Sequence, residues 1–585
     1  MILNLSELNV HVEFVHFKMD TLNTALSLIT PSCFCASIDL SDAYYSVNVH
    51  PDFRKYLRFE YESQLYEFTC LPNGLSPGPR IFTKLLKPAF SLLRKHHGIT
   101  IMGYLDDLLI VESDKFRLCQ AIKRTIELFT DLGFKISFKK SQLLPSQQLE
   151  FLGFWICSDT MTVQMTERKA KKLVSLCKEI QKKQFISLRA LAQLLGNMIA
   201  TIPANPYAKL FSKKLEILKI TKLREHAGNY ETMVELTEQD KIDLDWWIEN
   251  IQVSVKPIVR SQPDIIIYTD ASNAGWGCHV PNTDQTTSGR WSMIEQTSHI
   301  NVLELLAVSY SLKSLFREDR NVHIRIMTDN TVTMLTLQNQ GSTASASCNE
   351  VCRKIWLWCL ERNIWISLAH CPGKLNVEAD LASRNFNDDT EWCLNKSIFV
   401  KICKRFGTPQ VDIFASRLNK QIARFYSWQP DPSAAAVDAF TVSWTYDYIY
   451  AFPPFSIIPR VLQKIQLDGC AAILITPVWP NQPWFTTILQ MLVAPPLLFQ
   501  VKPDTLKLCH KPDIVHPLVP DLTLMATRLS ANLCFREDFR RRCCLPSTQH
   551  ENSPHTDNMT AIWPSGNFFV SLGQLIPLNQ LYLKH

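Results

Sequence analysis

At 585 residues the chain is about four times the size of a usual folding unit, so several domains are expected rather than one core. Apolar residues make up 46% and charged residues 20%, a balance that excludes an intrinsically disordered chain. With 61 Lys and Arg against 55 Asp and Glu, the net charge of +6 is too mild by itself to argue for nucleic acid, so any such argument must be local. The first twenty residues carry Glu7 and Glu13 and no uninterrupted apolar core, so no signal peptide is expected. The longest greasy stretch, Thr487 to Val501, is broken by Pro495 and Pro496 and falls short of a bilayer span, which removes the membrane as a partner. Eighteen cysteines without a paired CxxC frame read as reduced thiols of an intracellular protein, in cytoplasm or nucleus.

Residues 1 to about 160 alternate β-rich runs (Phe34 to Leu40, Leu57 to Phe59, Ile99 to Val111, Leu149 to Ile156) with helical ones, a mixed α/β module. Within it, SIDLSDAYYSV places Asp39 at the end of a β run, with Asp42, Tyr44 and Tyr45 after it. In ITIMGYLDDLLIVE two apolar runs flank Tyr104, Leu105, Asp106 and Asp107, which puts the acidic pair at the tip of a hairpin. Adjacent carboxylates repel, and a bland turn would use Gly or Asn there, so the pair points to bound cations. An aspartate from a neighbouring strand completes what a two-metal phosphoryl-transfer site requires.

From Thr166 to about Leu223 the periodicity turns helical, with Leu173, Leu176 and Ile180 on one face and Leu188, Leu191, Leu194, Leu195 and Met198 on another after the N-cap Ser187. Glu167 to His226 holds 14 Lys and Arg against 4 Asp and Glu, a concentrated positive field suited to phosphates. Val255 to Asp264, with two prolines, reads as a linker.

A second β-rich unit starts at Ile265. Asp270 ends a strand, Glu304 lies on an amphipathic helix with Leu303, Leu306 and Tyr310, and Asp329 follows the strand Ile324 to Met327. AHCPGKLNVEADLASR then supplies His370 and Asp380. Each acid sits at an element end, where distant side chains can converge. Arg384 to Thr390 reads as a boundary, the segment to about Arg542 is rich in Pro and Trp, and the last forty residues are polar and irregular.

The run of SIDLSDAYYSV, LPNGLSPGPRIFTK, YLDD, FKISFKKSQL and FLGF resembles, in order, the palm motifs of retroelement reverse transcriptases. That resemblance implies Asp39, Asp106 and Asp107 as carboxylates for two magnesium ions, with manganese as the alternative. It also implies Tyr44 as the gate beneath the incoming sugar, Asn73, Gly74 and Tyr104 as nucleotide and template contacts, Lys140 near the nucleotide phosphates, and Phe151 to Phe154 as the primer grip. The basic helices take the place of the thumb. Ser6 stands where the family carries an Arg at the end of its fingers, so an N-terminally truncated module is expected. Asp270, Glu304, Asp329 and Asp380 with His370 resemble the ribonuclease H family, which implies a second two-metal site with His370 assisting proton transfer or product release.

VDIFASRLNKQ, FYSWQPDP, YAFPPFSIIPRVLQKI and LITPVWPNQPWF resemble the methyltransferase-like region of DIRS-type retroelements. Phe452 replaces the polar residue ahead of Pro453, Pro454 and Phe455, so an inactive domain is expected there. The fold class expected is therefore multidomain α/β and α+β: a reverse-transcriptase palm with partial fingers (1–160), a helical basic thumb (161–255), a ribonuclease-H-like domain (262–386), an α/β methyltransferase-like domain (400–542) and an irregular tail (543–585). The implied partners are RNA template, DNA primer, RNA–DNA hybrid and deoxynucleoside triphosphates. Ribonuclease H alone, or a non-catalytic nucleic-acid binder, are the alternative readings.

Overall fold

The computed structural model describes residues 4–13, 15–386, 391–445, 447–519, 521–543, 561–562 and 568–581. The chain divides into two compact units, Met1–Gln262 with Asn339–Ala344, and Pro263–Gln338 with Ser345–His585. Among the described residues no helix is long and apolar enough to cross a membrane.

The first unit is organised by strand β1 (Phe34–Ser41), flanked by the hairpin β2 (Thr100–Tyr104) and β3 (Asp107–Glu112) in the order β2-β3-β1, with Lys135–Ile136 and Gln142–Ser146 also pairing to β1. Side chains alternate across a strand. Ala36, Ile38 and Leu40 of β1 and Leu108 and Ile110 of β3 therefore join a core with Phe82, Leu86 and Phe90 of helix Gly78–His97 and Leu118 and Phe129 of helix Lys115–Asp131. Cys35, Leu109 and Val111 face the other way, into a core with Leu149, Phe151, Ile156 and Val163. Those last residues belong to a four-stranded antiparallel sheet whose edge is Val255–Pro257. The stretch expected as a linker thus begins as a strand. Pro257, lacking an N–H, is tolerated because it pairs at a sheet edge.

Four helices follow at Glu167–Gln181, Leu188–Ile199, Ala208–Glu225 and Glu238–Asn250. The Ser187 hydroxyl accepts the Ala190 N–H at 3.2 Å and caps the second of them. Its apolar stripe, Leu191, Leu194, Leu195 and Met198, is buried. Trp247 is fully buried and donates its indole N–H to the Phe211 carbonyl at 3.2 Å.

The second unit opens with a five-stranded sheet. Gln285–Arg290, Gly275–Val280 and β4 (Ile265–Ala271) run antiparallel, and β4 continues parallel into β5 (His323–Thr328) and β6 (Trp365–His370). Helix α1 (Ile300–Leu315) precedes β5, and helix α2 (Val377–Arg384) packs on Gly275–Val280. That packing depends on Gly277, where an added Cβ would meet the Ala379 carbonyl at 2.4 Å and the Ser383 nitrogen at 2.5 Å.

A six-stranded sheet forms the C-terminal part, beginning with the parallel strands β7 (Val411–Asp412), β8 (Tyr448–Ala451) and β9 (Ala471–Pro477). Arg417 ties this part to the first sheet: its guanidinium donates to both Glu295 carboxylate oxygens at 2.9 and 2.8 Å and to the Arg290 carbonyl at 2.6 Å, and lies over the Tyr310 ring at 4.9 Å. The tail expected to be irregular is structured where it is described. Phe568–Ser571 and Gln574–Pro577 form a hairpin because Phe569 and Ile576, paired in register, are both buried, and Asn579–Gln580 joins the six-stranded sheet. Residues 544–560 and 563–567 of that tail, and 387–390 of the expected boundary, lie outside the described residues.

Because the atoms facing Gly277 are backbone, they cannot swing away, and Gly277→Ala is expected to lower the stability of the second unit by about 1–3 kcal/mol. In denaturant melts followed by tryptophan fluorescence, an unchanged second-unit transition would show that the helix does not approach the strand this closely.

Candidate active sites in two carboxylate clusters

In the first cluster, strand register does most of the positioning. Asp39 of β1 lies opposite Asp107 of β3, and the alternation that buries Ile38 and Leu108 on the helix side turns both acids to the other face. Asp106 sits in the hairpin turn, which Leu105 closes with a φ of +56°, a conformation that disfavours a bulky residue. The Asp39 side chain is 13% exposed, and its Oδ1 has no hydrogen-bond partner. The exposed Lys140 ammonium stands 3.6 Å from that oxygen, and the Asp39 N–H donates to the Ser141 hydroxyl at 3.0 Å. Burial pushes the Asp107 carboxyl up to about 6, and Asp106 and Asp39 add to the rise while Lys140 opposes it.

Tyr44 packs edge-on against Phe82 at 5.5 Å, and burial, with Asp106 and Tyr104 nearby, raises its phenol. Tyr104 is the register partner of Asp107. The structure therefore gathers Asp39, Asp106, Asp107, Tyr44, Tyr104 and Lys140. Asn73 and Gly74 lie on an exposed turn, and the Asn73 amide donates to the hydroxyl of Tyr45, the residue after Tyr44, at 3.3 Å. Gly74 adopts a φ of +95°, and its carbonyl accepts from Asn9 at 2.9 Å.

The second cluster is tight. One carboxylate oxygen each from Asp270, Glu304 and Asp329 lies within 4.8 Å of the other two. Glu304 is buried on α1, its Oε2 is unpartnered, and burial followed by Asp270 and Asp329 pushes its carboxyl up to about 9. Asp270 is raised mainly by burial, with Asp329 and Asp380 adding, although the Ser383 hydroxyl donates to its Oδ2 at 2.7 Å. Asp329 leaves the end of β5, and a Cβ on Gly373 would come 3.0 Å from its Oδ2, so glycine keeps this side open.

Asp380 is near but not in the closely spaced group. Arg384, one helical turn on, takes its Oδ1 with Nε at 2.8 Å and Nη2 at 2.7 Å. His370 stands exposed at the end of β6, level with Thr328 and so next to the strand that delivers Asp329. Ser141, Ser383 and Arg384 are functional neighbours that the motifs did not single out. For the last two the signal was present, since they follow Asp380 at the i+3 and i+4 spacing of a helix.

Three convergent carboxylates with an unpartnered buried oxygen form an oxygen donor set that fits a hard divalent ion such as magnesium or manganese. In chelator, a Glu304 carboxyl raised from 4.5 to about 9 costs nothing below pH 4.5, and its cost grows as the pH rises toward 9. Glu304→Gln should therefore be more stable than the parent at pH 8 by on the order of a few kcal/mol, with the difference closing by pH 5. Thermal melts in chelator at the two pH values check this, and an equal difference at both would remove the carboxyl's charge as the cause.

Residues 1–156 match the family model described as reverse transcriptase (RNA-dependent DNA polymerase). The Gag-Pol polyprotein of avian reticuloendotheliosis virus is 30% identical over 164 residues, covering 27% of this chain and 14% of that protein. The enzymatic polyprotein of cauliflower mosaic virus (strain Strasbourg) is 25% identical over 413 residues, 66% of this chain and 55% of that protein. The chain thus spans about half or less of the length of these relatives. A solved foamy viral protease-reverse transcriptase in complex with double-stranded DNA aligns with a TM-score of 0.39 and 18% identity, covering 63% of this chain and 62% of that one. Residues 1–156, which contain Asp39, Asp106 and Asp107, are a reverse transcriptase domain of the kind found in retroelement and viral pol polyproteins.

Proposed function

We propose that the chain is a retroelement RNA-directed DNA polymerase with ribonuclease H activity, copying RNA into DNA and hydrolysing the RNA strand of RNA–DNA hybrids. The observation that carries the polymerase reading is the family match over residues 1–156, within which Asp39 and Asp107 meet in register beside Asp106. The nuclease reading is supported by the convergence of Asp270, Glu304 and Asp329. Template, primer and hybrid are the partners, and the basic helices from Glu167 to His226 supply their phosphate contacts. The finer assignment to a DIRS-type element, with a methyltransferase-like C-terminal part that transfers no methyl group, rests on the motifs around Val411 and Phe452.

Asp39, Asp106 and Asp107 would hold the divalent ions of the polymerase site, and Asp270, Glu304, Asp329 and Asp380 those of the nuclease site. Bound there, the ions supply acidification of the attacking hydroxyl or water and neutralisation of charge on the phosphoryl oxygens. The chain's own residues orient. The Tyr44 ring, held against Phe82, would lie beneath the incoming sugar and reject a 2′-hydroxyl there. Lys140, which borders Asp39, is placed to turn toward the triphosphate once that acid is otherwise neutralised. At the nuclease site the Ser383 hydroxyl fixes the rotamer of Asp270, and the exposed His370 ring exchanges a proton with the leaving oxygen. Hybrids are selected by shape and by 2′-hydroxyls across the minor groove.

The full chain incubated with a primed RNA template, deoxynucleotides and magnesium should extend the primer, and Asp106→Asn should reduce extension roughly 100-fold or more while leaving hybrid cleavage in place. Asp329→Asn should do the reverse on a labelled RNA–DNA hybrid. Cleavage without any extension by the parent overturns the polymerase assignment, and salt-sensitive binding without turnover in either assay overturns both.

A further inference from the structure

Strands Gln148–Phe151 and Phe154–Cys157 are joined by the two-residue turn Leu152–Gly153, whose φ values are +51° and +79°. A tight hairpin turn requires both residues in the left-handed region, and Leu152 adopts it against its steric preference. The turn is held from outside, because the start of helix Glu167–Gln181 takes both of its carbonyls. The Lys169 ammonium donates to the Leu152 carbonyl at 2.7 Å, and the Thr166 hydroxyl and N–H donate to the Gly153 carbonyl at 3.3 and 3.4 Å. The same ammonium lies 5.1 Å from the centre of the Phe154 ring, and a Cβ on Gly153 would strike the lysine stem. Lys169 therefore lies across the turn. Burial, with Arg168 beside it, lowers its ammonium while Glu150 opposes the change, so part of its hydration has been exchanged for the contact with the turn.

The hairpin is built into the acid face of the palm sheet. Phe151 and Phe154 are buried in one core with Cys35, Leu109 and Val111, on the face of β1 and β3 to which Asp39 and Asp107 are turned. Tyr104, the register partner of Asp107, packs against that core together with Leu152. The contacts of Lys169 and Thr166 thus tie the first turn of a strongly basic helix to the wall of the carboxylate cluster.

We propose that Lys169 is a positioning residue of the polymerase site: it locks the Leu152–Gly153 turn to the basic helix, and the lock sets where a primer 3′ end stands relative to Asp39, Asp106 and Asp107. The inference rests on the polymerase reading above and deepens it. Reacting atoms have to be held closely, so a turn free to shift by about 1 Å costs rate even while the strand stays bound. A lysine used as a phosphate contact would act on binding instead.

The full chain is assayed for single-turnover addition of one nucleotide to a primed RNA template in magnesium, and for binding of the same primer–template in chelator across a salt series. Lys169→Met keeps the stem and removes the donor, Lys169→Arg keeps a donor, and Thr166→Val removes the hydroxyl half of the clasp without altering charge. Lys169→Met should slow addition roughly 10- to 100-fold and Thr166→Val should slow it less, while Lys169→Arg restores most of the rate. Primer–template affinity and its salt slope should stay at the parent values in all three. Weaker binding with a salt slope lower by about one makes Lys169 a phosphate contact and overturns the proposal. Addition at the parent rate by Lys169→Met also overturns it, and should that variant not fold, addition at the parent rate by Thr166→Val does the same. A parent that extends no primer removes the polymerase reading and this inference together, whereas an active parent matched by its variants removes the inference alone.

Discussion

Like charges drawn out of water, with too little opposite charge beside them, set the terms for both sites. Glu304 is the extreme case, a buried carboxyl facing two other acids with one oxygen unpartnered. Such a group is tolerated only where neighbouring structure fixes it, because desolvation and repulsion act in the same direction. The two units meet this constraint differently. In the first, an exposed lysine leans in from the loop after Lys135–Ile136. In the second, the nearby arginine is drawn off to Asp380, and the remaining three acids are held close by a strand, a helix and a strand end.

What holds them is ordinary packing. The same alternation that gives β1 two apolar faces places Asp39 level with Asp107 where those faces run out. In the second unit, α2 approaches its strand across Gly277, close enough for Ser383 to reach Asp270. Positions that look structural in sequence, a glycine in a strand and a serine in a helix, are thereby part of how the carboxylates are aimed.

The acids themselves were legible because apolar runs of strand length end on them, as at Asp39, Asp107 and Asp270, and the N-cap Ser187 was legible from its side-chain chemistry. Features that depend on partners distant in the chain were not. Val255–Pro257 reads as a linker until Thr162–Gln164 is placed beside it. The hairpin of Phe569 and Ile576 follows a long polar stretch, and its two apolar side chains find a core. The capture of Asp380 by Arg384 depends on distances that no motif encodes.

The Arg417 junction carries a lesson for how the gene could be dissected. Glu295 and Tyr310 lie among the elements that carry the second carboxylate cluster, yet their countercharge arrives from beyond residue 400. A recombinant fragment cut after the last acid of that cluster would leave the Glu295 carboxylate without its guanidinium and the Tyr310 ring without its cover. A fragment that preserves this junction therefore has to run past the acids of the second cluster as far as Arg417.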